Sequence, residues 1–330
     1  MRSMKASSKT ALASFTLIAF ACSAIPDARA QTPTSVDTVR TALRQSNWTA
    51  AKSDLDALVQ ARDARAMVLL GELHFAVGGV GPFAEDPDLA CGMFERVAAL
   101  SNGDAIYALA QCFTQGRGRP QDHAQARALL QRATDKGSAR AWCGLGRQYF
   151  EGQGVPVDGS QGVAQCRQGS SMGDGDADAE IGLRFLEGRG LTQSIVDARP
   201  WLDRGAQRGN AKAARALADV YWNGAGVPRD RTQAARYLEQ AAKAGDMDAA
   251  SRLARFRQGT AFDPRETVIL DRRGAVDAVY WLTAVSRLHP DARTRKVAEA
   301  EVLNLRERFA DITMQVDHRL QTDPPRAALP

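Results

Sequence analysis

The chain has 330 residues and a formal charge of +5, from 43 Lys and Arg against 38 Asp and Glu. Within the first thirty residues Arg2, Lys5, Lys9 and Arg29 face only Asp27, so the rest is close to neutral. Without a basic stripe in that remainder, nucleic-acid binding has no electrostatic footing, and Arg204, Arg208, Arg252 and Arg255 read as parts of solvated helix faces.

In chain order, residues 1–30 read as a secretory signal peptide. Basic residues precede an apolar run from Ala11 to Ala21, and Ala28-Arg29-Ala30 offers a small-x-small cleavage site before Gln31. That run is too short to span a bilayer, and no other stretch is a candidate membrane span. Cys22 raises a lipoprotein alternative, against which Ala19-Phe20-Ala21 lacks the aliphatic position such a site needs. The mature chain is expected in a periplasmic or secreted location. Residues 31–63 form a helical cap: Thr34 to Arg62 reads as a helix pair with Trp48, Ala51, Leu55 and Leu58 on one face.

From residue 64 to 262 the glycines keep a period. Gly116, Gly152, Gly188 and Gly224 are 36 residues apart, as are Gly118, Gly154, Gly190 and Gly226, and Gly137, Gly173, Gly209 and Gly245. A fixed period of this size marks a repeat architecture. In one unit, helix A runs from Ala211 to Asn223, with Ala214, Leu217, Ala218 and Tyr221 at helical spacing. Gly224 to Pro228 break it, and Asp230 caps helix B, whose apolar face is Ala234, Ala235, Tyr237, Leu238, Ala241 and Ala242. Tyr149, Phe185 and Tyr221 share a register on helix A, and Leu129-Leu130, Trp201-Leu202 and Tyr237-Leu238 share one on helix B; these aromatics are expected in the hairpin core. The fold class is all-α: an α-solenoid of stacked antiparallel helix hairpins, about five units, with terminal capping helices.

Departures from the period are informative. The unit near Gly71 holds about three extra residues between Val80 and Asp86. Gly159, Gly162 and Gly169 should weaken one helix B, making the middle of the array its softest part. Pro200 should delay the next helix B to about Ala198 or kink it. Residues 263–321 read as a degenerate last repeat around Tyr280-Trp281-Leu282, then one long amphipathic helix from Asp291 to Leu320 carrying Val297, Val302, Leu305, Phe309, Ile312 and Val316. Residues 322–330 read as a disordered tail.

The pattern L-G-x-x-Y-x-x-G-x-G-V-P-x-D, matched by Leu145 to Asp158, and its second half, matched by Gln233 to Asp246, resembles the Sel-one-like repeat, a relative of the tetratricopeptide repeat. The resemblance implies a protein-binding scaffold or adaptor with disulfide-braced hairpins in secreted members. Four cysteines follow the signal peptide, and in an antiparallel helix pair facing residues are about equidistant from the turn. Cys91 and Cys112 centre on Ser101-Asn102, and Cys143 and Cys166 on Gly154-Val155, so the expected pairs are Cys91–Cys112 and Cys143–Cys166. Their spacings do not suit zinc.

Catalytic and ligand motifs are thin. The G-x-G turns lie between helices, where a phosphate loop needs a strand. Asp174-Gly175-Asp176-Ala177-Asp178 starts like a calcium loop but has Ala179 and Phe185 where Gly and Glu belong. No serine acyl-enzyme or H-E-x-x-H motif occurs, and His74, His123, His289 and His318 are scattered. The expectation is a non-enzymatic scaffold without cofactor or metal, which binds a protein or peptide on a concave face lined by the A helices. Arg147, Glu151, Glu187, Arg215, Asp219 and Asn223 are the candidate binding residues, because they lie on helix A yet differ between units. The alternatives are a cell-wall or β-lactam-related hydrolase, or a passive envelope subunit held by the C-terminal helix.

Overall fold

The computed structural model describes residues 34–263, 265 and 268–326; the expected signal peptide, Cys22 and residues 327–330 lie outside the described residues. The cap is α1 (Val36–Arg44) and α2 (Trp48–Gln60). Five hairpins follow: α3 (Ala64–Phe75) with α4 (Pro87–Ala98), α5 (Gly103–Gln115) with α6 (His123–Asp135), α7 (Ala139–Glu151) with α8 (Gly159–Ser171), α9 (Gly175–Glu187) with α10 (Ile195–Gln207), and α11 (Ala211–Asn223) with α12 (Arg231–Lys243). A longer pair, α13 (Met247–Ala261) and α14 (Arg272–Leu288), leads to α15 (Ala292–Arg308) and α16 (Ala310–Thr322). Among the described residues the only β features are the isolated bridges Val80–Phe83 and Phe262–Ile269. The fold is an all-α solenoid.

The glycine period has a backbone cause. Gly116, Gly152, Gly188 and Gly224 close the A helices in the left-handed region, at φ of 67°, 68°, 72° and 71°, where a side chain would be strained. The opposite ends are set by side-chain caps. Asn102, Asp174, Asn210 and Asp246 accept a backbone N–H at the start of α5, α9, α11 and α13. Asp86, Asp122, Asp158, Ser194 and Asp230 do the same for the B helices.

The core differs from expectation in its aromatics. Leu130, Leu202, Leu217, Leu238 and Ile181 are fully buried, whereas Tyr149, Phe185, Tyr221, Trp201 and Tyr237 are only half-buried at the hairpin flank. Tyrosine at a boundary keeps its ring against apolar surface and its hydroxyl on a polar partner. The Arg127 guanidinium donates to the Tyr149 hydroxyl at 2.8 Å. Tyr221 stacks on Tyr237 with centroids 5.6 Å apart, and the Tyr237 hydroxyl donates to Asp203 at 2.7 Å.

Helix α8 is continuous, and its glycines are places of close approach. A Cβ at Gly159 would lie 2.1 Å from the Gly190 carbonyl oxygen, and one at Gly162 would lie 2.5 Å from the Phe150 ring. Helix propensity alone would favour Gly159→Ala by about 0.5–1 kcal/mol. The clash with backbone reverses the sign: a loss of about 1–3 kcal/mol is expected in urea unfolding, and a gain would mean that α8 can back away from the next turn. Pro200 neither delays α10 nor stands at its start, since the helix begins at Ile195. The amide it lacks would have met the carbonyl of Val196, a residue that is 80% exposed in the solvated first turn of the helix.

The C-terminal segment is two helices and not one. Phe309 leaves helical geometry at φ −129° and ψ 64°, and its ring lies 5.0 Å from that of Phe262. Arg306 then pairs with Asp317 across the bend at 2.8 Å. The turn lets α16 lie back on α14 and bury Ile312 and Val316, while Leu305 of α15 stays buried too. A straight helix would carry one of those two groups away from the core. Val297, expected on the apolar face, is 58% exposed. Arg319 pairs with Asp277, and the Tyr280 hydroxyl donates to the Asp323 carbonyl at 2.7 Å, so the start of the expected tail is held.

Disulfides join Cys91 to Cys112, across α4 and α5, and Cys143 to Cys166, across α7 and α8.

Candidate functional site

Consecutive A helices pack on one another from α3 to α11, whereas among the B helices only α10 and α12 do. The A helices are therefore the closer-spaced, inner layer, and their free faces line a concave groove. Within it a cavity of about 670 Å³ is lined by Arg147, Glu151, Glu187, Arg215 and Asp219, five of the six residues singled out from sequence. Asn223, at the exposed end of α11, is not among its lining residues.

The centre of this cavity is Arg184, which sequence reasoning missed. It is 8% exposed, bonds Glu151 through Nη2 and Glu180 through Nε at 2.7 Å, and stacks 5.1 Å over the Phe150 ring. Burial opposes its charge, but its hydrogen bonds to both carboxylates outweigh that and raise its pKa. A readable signal existed: Arg184 occupies the register of Cys112, Gln148 and Val220, which is otherwise uncharged.

Two of the other lining carboxylates are ion-paired, and Asp176 accepts from the Asn210 amide at 2.6 Å. Glu187 accepts from Arg189 Nε at 2.6 Å, and Asp219 meets Arg252 at 2.7 Å. Arg215 pairs with Asp246, the N-cap of α13, at 3.1 Å, so it braces the next unit. Two cations are left over. Lys212 has no ion pair among the described residues, and Arg147 donates only to the Tyr107 hydroxyl, at 2.9 Å. Tyr107 first, then Glu180 and Glu151, raise the Arg147 pKa against the opposing effect of burial, and a guanidinium is a permanent cation in any case.

Arg147 also lines two further cavities along the same face. One, about 280 Å³, is bounded by Phe75, Phe94 and Tyr107; the other, about 530 Å³, by Gln111, Thr114 and Gln115. Arg147 thus stands where the three cavities meet, the smallest of them combining aromatic rings with the Glu72–Arg140 ion pair.

Two surface readings need correction. Arg208 and Arg204 are not plain solvated side chains: Arg208 Nη1 donates to the fully buried Asp178 at 2.5 Å, and Arg204 lies 3.8 Å from the same carboxylate. Arg252 likewise serves Asp219. The aspartates of the calcium-like run diverge, with Asp174 capping α9, Asp176 on Asn210 and Asp178 on Ser170 and Arg208. Among the described residues no cluster of His, Cys, Asp and Glu is arranged to hold a metal, and no helix is long and apolar enough to cross a membrane.

The model of the Sel1 repeat matches residues 103–138, 139–174, 175–210 and 211–246. A Sel1 repeat protein from Oxalobacter formigenes is similar in structure, at 20% identity over 82% of this chain and 99% of that one, with a TM-score of 0.49. A protective antigen of uropathogenic Escherichia coli with this repeat fold is 23% identical over 82% of this chain and 67% of its own, with a TM-score of 0.36. An immunity protein from Pseudomonas aeruginosa is 17% identical over 72% and 81%, with a TM-score of 0.43. No curated protein matches the sequence.

Proposed function

Residues 103–246 are four consecutive Sel1 repeats, a module that typically mediates protein–protein interaction, and from that premise we propose that this chain is a non-enzymatic adaptor, exported to the periplasm or beyond, which holds a protein or peptide partner on its concave face. The observation that carries the reading is the groove itself. Its core registers repeat from unit to unit, while at this cavity one register reads Arg147, Leu183 and Asp219 and another passes from Ala179 to Arg215, beside the shared Glu151 and Glu187. A surface that varies on a repeating frame is what a solenoid uses to recognise one partner. The disulfides support an oxidising compartment. They also hold all four described cysteines, which supports a chain without thiolate chemistry. Against a passive subunit docked through its C-terminus, α16 already buries Ile312 and Val316 on its own chain.

The test is site-specific photocrosslinking of the mature protein in its own envelope. A photoreactive residue at Lys212, inside the groove, is expected to capture a discrete partner; one at Arg167, exposed on α8, is not. Capture at Lys212 should fall on Arg147→Gln with the circular dichroism unchanged. Capture from Arg167 alone would place the binding surface on the other side and end the concave-face reading.

A further inference from the structure

Arg147 presents a cation with unused capacity. A guanidinium carries five N–H donors, and among the described residues one of them finds an acceptor, the Tyr107 hydroxyl at 2.9 Å. Its own helix offers Glu151 at i+4, but with arginine on the N-terminal side, the weaker order for a helix pair. Arg184 of the next unit takes Glu151 and also Glu180. Both nearby carboxylates are thereby engaged elsewhere, and Arg147 feels their field but forms no ion pair with either. A half-buried cation left so is costly unless something anionic completes it. Beside it lies a pocket bounded by Phe75, Phe94 and Tyr107, with the Glu72–Arg140 ion pair on its rim. At about 280 Å³ it falls below the range of roughly 300–1,000 Å³ of small-molecule sites. That is room for a side chain.

We infer that Arg147 reads a carboxylate, and that the partner segment is an extended peptide with an Asp or Glu next to a large apolar residue, the carboxylate on Arg147 and the apolar side chain among Phe75, Phe94 and Tyr107. This rests on the concave-face reading and names its ligand chemistry. The second unpaired cation sets a register. Lys212 is on α11, two A helices beyond Arg147 on α7. At helix spacings of about 8–10 Å, and with Lys212 about 10 Å nearer the start of its helix than Arg147, the two lie roughly 19–23 Å apart, or about six or seven residues of extended chain. A second acidic residue is expected at that interval, on the side away from the apolar anchor.

The experiment is selection of displayed random peptides, long enough to span the groove, on the disulfide-intact mature chain and on its Arg147→Glu and Arg147→Gln variants. The wild type is expected to enrich Asp or Glu adjacent to Phe, Leu, Met or Trp. Arg147→Glu should keep the apolar preference and exchange the acidic residue for Lys or Arg, an inversion that loss of structure cannot produce. Arg147→Gln should bind the wild-type consensus about ten- to a hundredfold more weakly in fluorescence anisotropy, as expected for losing one charged hydrogen-bonded pair. If Arg147→Glu does not fold, judged by circular dichroism, Arg147→Gln decides alone. The inference is overturned if the wild type and Arg147→Gln select the same motifs, if no acidic preference emerges, or if no peptide is enriched. Crosslinking from Lys212 in the envelope would still report separately on whether the concave face binds anything.

Discussion

Arg208→Ala is expected to lower the stability of the fold by about 3 kcal/mol, the lower end of what breaking a buried ion pair from one side costs. Asp178 is fully buried in the first turn of α9, and Arg208 is its nearest cation. The same Nη1 donates to the Ser170 carbonyl, near the end of α8, at 2.9 Å, so one side chain from the end of α10 ties three helices together. Ser170 donates to Asp178 at 2.7 Å and Arg204 lies 3.8 Å away, which keeps the loss from being larger. The double variant Asp178→Asn, Arg208→Ala removes the stranded charge as well as its partner and should be more stable than Arg208→Ala alone. Urea unfolding of the two variants and the parent measures this. If the double variant is the less stable, the cost is one of packing and not of an uncompensated carboxylate.

The second large effect concerns the Cys143–Cys166 bridge, which closes a sequence separation of 23 residues. Replacing both cysteines by alanine should cost about 3 kcal/mol through the freedom returned to the unfolded chain. Serine would confound the result by burying a hydroxyl, because Cys166 is fully buried. Cys91–Cys112, with a separation of 21, should contribute similarly. If the two add, the reduced protein loses about 6 kcal/mol from a total that is commonly about 5–15. Unfolding midpoints with and without reductant would show a large drop in the wild type and none in a variant lacking all four thiols. A drop of under about 1 kcal/mol per bridge would contradict the loop-entropy argument and weaken the case for an oxidising compartment.

Much of this fold was legible because its determinants are local. A glycine in the left-handed region ends a helix, and an Asp, Asn or Ser begins one, within a few residues of chain. Ala211 to Asn223 matches α11 residue for residue. The equidistance of cysteines from a turn needs only the hairpin, which the period already specifies. Position on the inner helices was enough to bring five of six candidate residues to one cavity.

Tertiary structure decided the points where residues far apart in sequence compete for one partner or one space. Glu151 could have served Arg147 four residues away, yet Arg184 from the next unit takes it, and that choice gives the groove its unpaired cation. Gly159 and Gly162 look like helix weakeners until Gly190 and Phe150 arrive beside them. Phe309 carries no Gly or Pro to announce a bend; the chain turns there because α16 gains a buried face on α14 only by folding back. The period, the helix ends and the pairing of the cysteines follow from local features of the chain alone. Which charges stay paired, which glycines are close contacts and where the last helix breaks were settled by contacts between units, whose energies are comparable to the local preferences they override.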